Sequence, residues 1–336
     1  MTGSQRQVPL SYPAGTFGTS VGRWRRPFGK MPRHSGATHR NLPQTRGLTC
    51  NDHTTPAASG DAWAGRRNTV VQTGRMRTEL ATVPGDQNRP NEDYASVALP
   101  VSGRGGALVV LDGVTPPQDG DGCLHSVPWF TARLGGALGE LSVSRPDLDL
   151  PDVLGQAIAR TADAHRTTCD LSHPRTPQAT VALVRWDDER IEHLVLADSV
   201  LLVVHADGRV EPVLDDRIAR LPRAALRSAA VTDATVRNKE GGFFTAAADP
   251  DVAVRAVTGT RPRTGVRALA ALTDGAARWV ERFGAGGWDD CVGVLRKEGP
   301  RGLIDRVREL EDEDAAAEVP RRGKVHDDAA VVYVEF

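Results

Sequence analysis

The sequence predicts an α+β fold in which layers of antiparallel sheet are covered by helices. Two observations carry this reading. Apolar runs at 179–186, 191–196 and 200–205 follow one another through tight turns with no helix between them. That is an antiparallel meander, not a repeated β-α-β unit. Before them, two helical patterns lie side by side in the sequence within residues 126–165. Paired helices beside antiparallel strands imply sheet layers with helices packed on them.

Taken in order, residues 1–75 hold 11 basic and 2 acidic residues and are rich in Gly, Pro, Thr, Ser and Arg. They have neither helical nor strand periodicity. Such a segment cannot bury enough apolar surface to offset its ordering entropy, so a disordered basic extension is expected over 1–75. Residues 76–336 are expected to be the folded domain, and Met76 is an alternative start for the native protein. The basic run Val21–Lys30 reads as a solvated tail, because basic charge alone gives only salt-sensitive, non-specific binding. No nucleic-acid partner is expected from it. Gly18–Gly22 matches G-x-S-x-G but lacks the strand before and the helix after that the motif needs.

From about Leu80 strands recur: 95–99, 107–111, 179–186, 191–196, 200–205, 266–272 and 329–336. Val127, Phe130, Leu134, Leu138 and Leu141 recur at helical spacing behind Ser126, a suitable N-cap. Val153, Leu154, Ala157, Ile158 and Thr161 form a second apolar face. Leu303, Ile304, Val307 and Leu310 form a third. Ala276, Val280 and Phe283 make a short helix that Gly284 would stop.

The whole chain has 336 residues, a formal net charge of -1 and 40% hydrophobic residues, enough for a sizeable core. No run of 18 apolar residues predicts a membrane span, and the N-terminus lacks a signal-peptide core. Cys50, Cys123, Cys169 and Cys291 are far apart with no C-x-x-C, which argues against a disulfide framework or a zinc site and fits a reducing cytosol. A cytoplasmic protein is expected.

The chemistry is carried by a recurring pattern: an apolar run, then Asp, then a small residue. It occurs as VVLDG ending at Gly113, VLADS ending at Ser199 and ALTDG ending at Gly275. Asp327-Asp328 opens the last strand, and Glu92-Asp93 precedes the first. Burying one carboxylate costs free energy unless it is compensated, and several together repel. A hard divalent cation, Mg²⁺ or Mn²⁺, resolves both problems with oxygen ligands. Asp207-Gly208 is an internal control. Polar residues flank it and strands lie on both sides, so it reads as a hairpin turn.

These residues, in this order, resemble the metal-dependent protein phosphatases of the 2C type, from about Gly85 to Phe336. The family's Asn-Glu-Asp is matched by Asn91-Glu92-Asp93, its first Asp-Gly by Asp112-Gly113, and its Thr-containing strand by Gln178–Val184. Its Gly-Asp-Ser is matched by Ala197-Asp198-Ser199, its second Asp-Gly by Asp274-Gly275, and its final acidic pair by Asp327-Asp328. The resemblance implies a four-layer α-β-β-α sandwich, two packed, mostly antiparallel sheets flanked by helices. It also implies a dinuclear Mg²⁺ or Mn²⁺ centre. Asp112 would bridge both ions, Gly113 would offer its carbonyl, and Asp274 and Asp327 would complete the coordination. Glu92 and Asp93 would hold metal-bound waters, and Asp198 would belong to a third, weaker site.

The implied reaction is hydrolysis of a phosphomonoester, with a phosphoprotein as the expected substrate and a hydroxide between the two metals as nucleophile. Asp112, Asp274 and Arg89 are the expected catalytic residues, Arg89 as the phosphate binder. The sequence departs from the family at four places. Val114-Thr115-Pro116-Pro117 replaces a Gly-rich run, Val200 stands where the family has Arg, and Asn88 stands where the phosphate-binding Arg usually falls. The nearest histidine after the first Asp-Gly is His125. The alternative reading is therefore an inactive copy of the fold that serves as a binding or regulatory module.

Overall fold

Two antiparallel sheets packed face to face form the centre of the structure. The computed structural model describes residues 69–73, 76–116, 120–317, 319 and 324–336. The first sheet contains β1 (Thr69–Thr73), β2 (Met76–Val83), β7 (Val200–His205), β8 (Val210–Val213), β10 (Val266–Leu272) and β11 (Ala329–Glu335), in the order β1-β2-β11-β10-β7-β8. The second contains β3 (Tyr94–Ala98), β4 (Gly106–Leu111), β5 (Val181–Trp186), β6 (Arg190–Leu196) and β9 (Val257–Pro262), in the order β3-β4-β5-β6-β9.

The strand sequences explain why there are four layers. Side chains alternate between the faces of a strand. In β4, Leu108 and Val110 point to the space between the sheets, where they meet Leu201, Val203, Leu269, Ala271, Ala330 and Val332. Val109 and Leu111 of the same strand point outward, onto helices α1 (Val127–Ser144) and α2 (Leu150–Asp163). Both faces are buried, so the strand reads as a continuous apolar run. On the outer face of the six-stranded sheet, Leu202, Ala270, Leu272 and Val331 pack under α4 (Asp274–Glu281) and α5 (Trp288–Ala315). The expected α-β-β-α sandwich is the observed fold.

Local signals set the helix ends. Ser126 Oγ accepts from Trp129 N and starts α1, and Asp149 Oδ1 accepts from Asp152 N and starts α2. Gly284, at φ +61°, follows the end of α4. Helix α5 is broken at Gly299-Pro300, where Gly299 leaves helical geometry.

Three expectations need correction. The strands at 181–205 are not one meander. β5 and β6 pair in the second sheet, but β7 crosses to the first and pairs with β10, so Ala197-Asp198-Ser199 is the crossing between sheets. The boundary at residue 75 falls within a hairpin, since Thr69–Thr73 pairs with Met76–Val83. Strand β9 has no counterpart among the expected strands, because its side chains are only half-buried and include Gly259 and Pro262. The Asp207-Gly208 control does join β7 to β8, with Gly208 at φ +91°. Val21–Lys30, Gly18–Gly22 and Cys50 lie outside the described residues. Among the described residues no helix is long and apolar enough to cross a membrane.

Candidate active site

The acidic residues come from one end of both sheets. Asp112 follows β4, and Asp93 precedes its partner β3. Asp274 follows β10 and opens α4, while Asp327-Asp328 precedes its partner β11. Asp198 lies on the crossing from β6 to β7. Antiparallel pairing places the end of one strand beside the start of its neighbour. Pairing thus brings Asp93 beside Asp112 and Asp327 beside Asp274, and the face-to-face packing of the two sheets brings Asp112 and Asp274, 162 residues apart, close enough for each to act on the other's charge.

The small residue after each Asp has a packing role. A Cβ on Gly113 would lie 2.5 Å from the Glu92 carbonyl oxygen and 2.4 Å from Val127 Cγ1. On Gly275 it would lie 1.9 Å from the Asp328 carbonyl oxygen. Each Asp-Gly pair therefore lets the acidic loop of the neighbouring strand close against it.

Hydroxyls and backbone amides hold the loops. Thr180 Oγ1 accepts from Asp112 N at 3.2 Å and lies 2.5 Å from Ser199 Oγ, tying β4, β5 and the sheet crossing together. Thr273 Oγ1 donates to Asp93 Oδ2 at 2.8 Å and accepts from Ala330 N at 2.9 Å. The Asp328 carboxylate accepts from Gly85 N at 2.8 Å and Glu92 N at 2.7 Å. Asp328 is thus a staple between loops, and its neighbour Asp327 faces the acidic group.

Burial and like charge act together on these carboxyls. Burial, then the charges of Asp274, Asp93 and Asp198, hold Asp112 well above the usual carboxylate range. Burial and the charges of Asp274, Asp328 and Asp327 do the same to Asp93, against the Thr273 hydrogen bond. Asp274 is raised by burial and by Asp327. Asp198 is pushed up to about 7 by burial and by Asp274. Glu92 is raised chiefly by burial, while its Oε2 accepts from Thr115 Oγ1 at 2.6 Å.

Cations border the group, and the motif reading missed them. Arg278 Nη2 donates to Asp327 Oδ2 at 2.5 Å, and Lys324 Nζ donates to Asp327 Oδ1 at 2.7 Å. Arg278 is four residues after Asp274 on α4, a helical spacing visible in the sequence. Lys324 also reaches Thr115 Oγ1 at 3.1 Å. Burial would depress its ammonium, but Asp327, Asp112 and Glu92 outweigh that and raise it. Arg89 is exposed at the mouth of a cleft shared with Glu92, Lys324 and Asp327.

The poorly patterned stretch after β8 folds over the other side. A cavity of about 240 Å³ has Asp112 and Asp198 on its floor, with Ile218, Leu226, Arg237 and Phe243 on its walls. Arg237 is held by Asp233 at 2.8 Å and lies over the Phe243 ring. Its charge acts on Asp198.

His125 is not in this group. It stacks on Trp129 with ring centroids 4.1 Å apart, and gathers with Cys123, His165 and Cys169. Cys123 and Cys169, whose spacing argued against a shared disulfide or zinc site, lie with their sulfurs 3.3 Å apart. They come from the loop before α1 and the turns after α2, a pairing that has no C-x-x-C signature.

The fold is that of the 2C-type protein phosphatases. The chain superposes on Stp1, a Ser/Thr phosphatase of Staphylococcus aureus, with a TM-score of 0.50 and 11% identity over 81% of this chain and 98% of that one. The Streptococcus agalactiae Ser/Thr phosphatase matches at 0.51 and 15%, over 77% and 99%. The Mycobacterium tuberculosis Ser/Thr phosphatase PstP matches at 0.50 and 16%, over 78% and 98%. No family model matches the sequence, and no curated protein is similar to it.

Proposed function

We propose that the chain is a Mg²⁺- or Mn²⁺-dependent phosphomonoester hydrolase acting on phosphoserine or phosphothreonine in proteins. The observation that carries this reading is the group of half-buried, mutually interacting carboxyls of Asp112, Asp274, Asp93 and Asp198, drawn from both sheets. Four mutually repelling carboxyls, each partly withdrawn from water, have no structural use without compensation. Their hard oxygens suit a small divalent cation. Asp112, Asp274 and Asp327 would hold the ions with the Gly113 carbonyl, Glu92 and Asp93 would orient their waters, and Asp198 would serve a third, weaker ion. Such a pair supplies an acidified water and a clamp on phosphate oxygens.

The chain's own residues do the remainder. Arg89, exposed at the mouth, presents a planar guanidinium to the phosphate. Arg237 and Phe243 wall the cavity above Asp112, where the flanking part of a phosphopeptide would lie. Thr273 holds the Asp93 carboxylate, and Thr180, backed by Ser199, holds the backbone of Asp112.

A second reading rests on one specific observation. Both oxygens of Asp327 are already engaged, by Arg278 and Lys324. If these cations replace a metal ion, the fold is an inactive module that binds a partner. Hydrolysis of an aryl phosphate with and without Mn²⁺ separates the two. Asp112→Asn is expected to abolish metal-dependent turnover without unfolding the protein. A wild type inert with every divalent ion would establish the inactive reading.

A further inference from the structure

A second cluster of potential ligands lies apart from the carboxylates. Among the described residues, Cys123, His125, His165 and Cys169 each offer one ligand atom, and these four atoms all lie within 4.8 Å of one another. Cys123 Sγ is 3.3 Å from Cys169 Sγ and 3.4 Å from His165 Nδ1. His125 Nδ1 is 3.3 Å from Cys169 Sγ and 3.7 Å from Cys123 Sγ. In a tetrahedral zinc site the usual bond lengths put two sulfurs about 3.8 Å apart and a sulfur and a nitrogen about 3.6 Å apart. The observed separations are close to the edges of that tetrahedron. Both cysteines are free.

The surroundings suit thiolates. Leu124 N donates to Cys169 Sγ at 3.3 Å, and His125 N donates to Cys123 Sγ at 3.4 Å. Thr168 Oγ1 lies 3.5 Å from Cys169 Sγ. Such outer hydrogen bonds orient ligands and temper their charge. His165 is buried, and Trp129 packs against both imidazoles. The ligands come as Cys-x-His from the loop leading into α1 and as His-x₃-Cys from the turns that follow α2.

We propose that Cys123, His125, His165 and Cys169 form a structural Zn²⁺ site. Two thiolates and two neutral imidazoles balance the charge of one Zn²⁺. Soft sulfur selects zinc over Mg²⁺ or Mn²⁺, so the site is chemically separate from the carboxylate group. Four protein ligands leave no open position, which makes the ion structural and not catalytic. Its place in the fold gives it a use. It clips the end of the loop that starts at Gly113 onto the turns that follow α2, where a backbone bond from Asp170 N to Gly122 O, at 2.8 Å, also joins them.

The test uses the full chain purified without chelator. Elemental analysis should find one zinc per chain that excess Mg²⁺ does not displace. Replacing it with Co²⁺ should give the thiolate-to-cobalt charge-transfer absorption and the intense visible bands of tetrahedral cobalt, which oxygen ligands do not produce. Zinc should be retained in Asp112→Asn and in the control Cys291→Ser, and lost in Cys169→Ser. Zinc that persists in a folded Cys169→Ser protein overturns the proposal. So does a wild type that holds no zinc and shows no charge-transfer band with Co²⁺, or one carrying a Cys123–Cys169 disulfide in place of metal. If Cys169→Ser does not fold, the wild-type cobalt spectrum decides alone.

Discussion

Arg278 joins Asp327 to Glu311: one terminal nitrogen lies 2.5 Å from Asp327 Oδ2, and the other lies 2.5 Å from Glu311 Oε1. The Glu311 side chain, on α5, has no exposed surface, and Arg308 binds its second oxygen at 2.5 Å. A buried ion network thus runs from the outer helix layer to the acidic site. Removing one partner of such a pair leaves charge uncompensated, at a cost of about 3–5 kcal/mol. Glu311→Gln should therefore lower unfolding free energy by roughly 3 kcal/mol, measured by urea denaturation. A loss near zero would mean that Asp327 and solvent suffice for the two arginines.

Lys324 already engages one oxygen of Asp327 and would compete there with a metal ion. Lys324→Met removes a positive charge that faces Asp327, Asp112 and Glu92. Mn²⁺ affinity, read by titration calorimetry, should rise several-fold. Inorganic phosphate should bind more weakly, because an ammonium at the cleft has gone. Unchanged Mn²⁺ affinity would show that the ammonium does not oppose metal at this site.

Ala197 has φ +63° at the crossing between the sheets. The left-handed region costs an alanine about 1–2 kcal/mol. Ala197 is fully buried, and its N–H donates to Asp215 Oδ2 at 2.9 Å. Ala197→Gly relieves the backbone at the expense of a small cavity and a freer unfolded chain. The balance should be a gain of up to about 1 kcal/mol, visible as a higher melting temperature. A lower one would mean that methyl packing beside Val236 and Phe243 exceeds the strain.

His193, on β6, is buried with its Nδ1 unpartnered, and burial followed by the Arg261 charge lowers it to about 4, against Glu211. Above pH 6.5 the imidazole is neutral in both folded and unfolded chains and costs nothing. As pH falls from 6.5 towards 4 only the unfolded chain takes up the proton, so stability is lost, by on the order of 3 kcal/mol at the lower end. His193→Phe should remove that part of the acid sensitivity. The comparison is the wild type minus the variant across pH 4–7, since the carboxylates titrate in both.

Much of the fold was legible in the sequence because its signals are local. Strands buried on both faces read as apolar runs, as in 107–111 and 266–272. Ser126 and the 3–4 spacing behind it marked α1, and the Asp-Gly endings marked where each acidic strand stops. The acidic set was legible for the same reason: a carboxylate directly after a core strand conflicts with burial, and several such conflicts in one chain imply a common compensation. Non-local pairing decided the rest. Only the sheet packing sends β7 across to β10 and adds the half-polar β9, and only the meeting of α4, α5 and the last loop gives Asp327 its partners Arg278 and Lys324. Cys123 and Cys169 looked isolated at a separation of 46 residues. They converge because α1 and α2 pack side by side on one sheet, which brings the end of α2 back to the loop before α1. Periodicity reports which face of an element is buried, whereas distances between elements are set by the packing energy of the whole core.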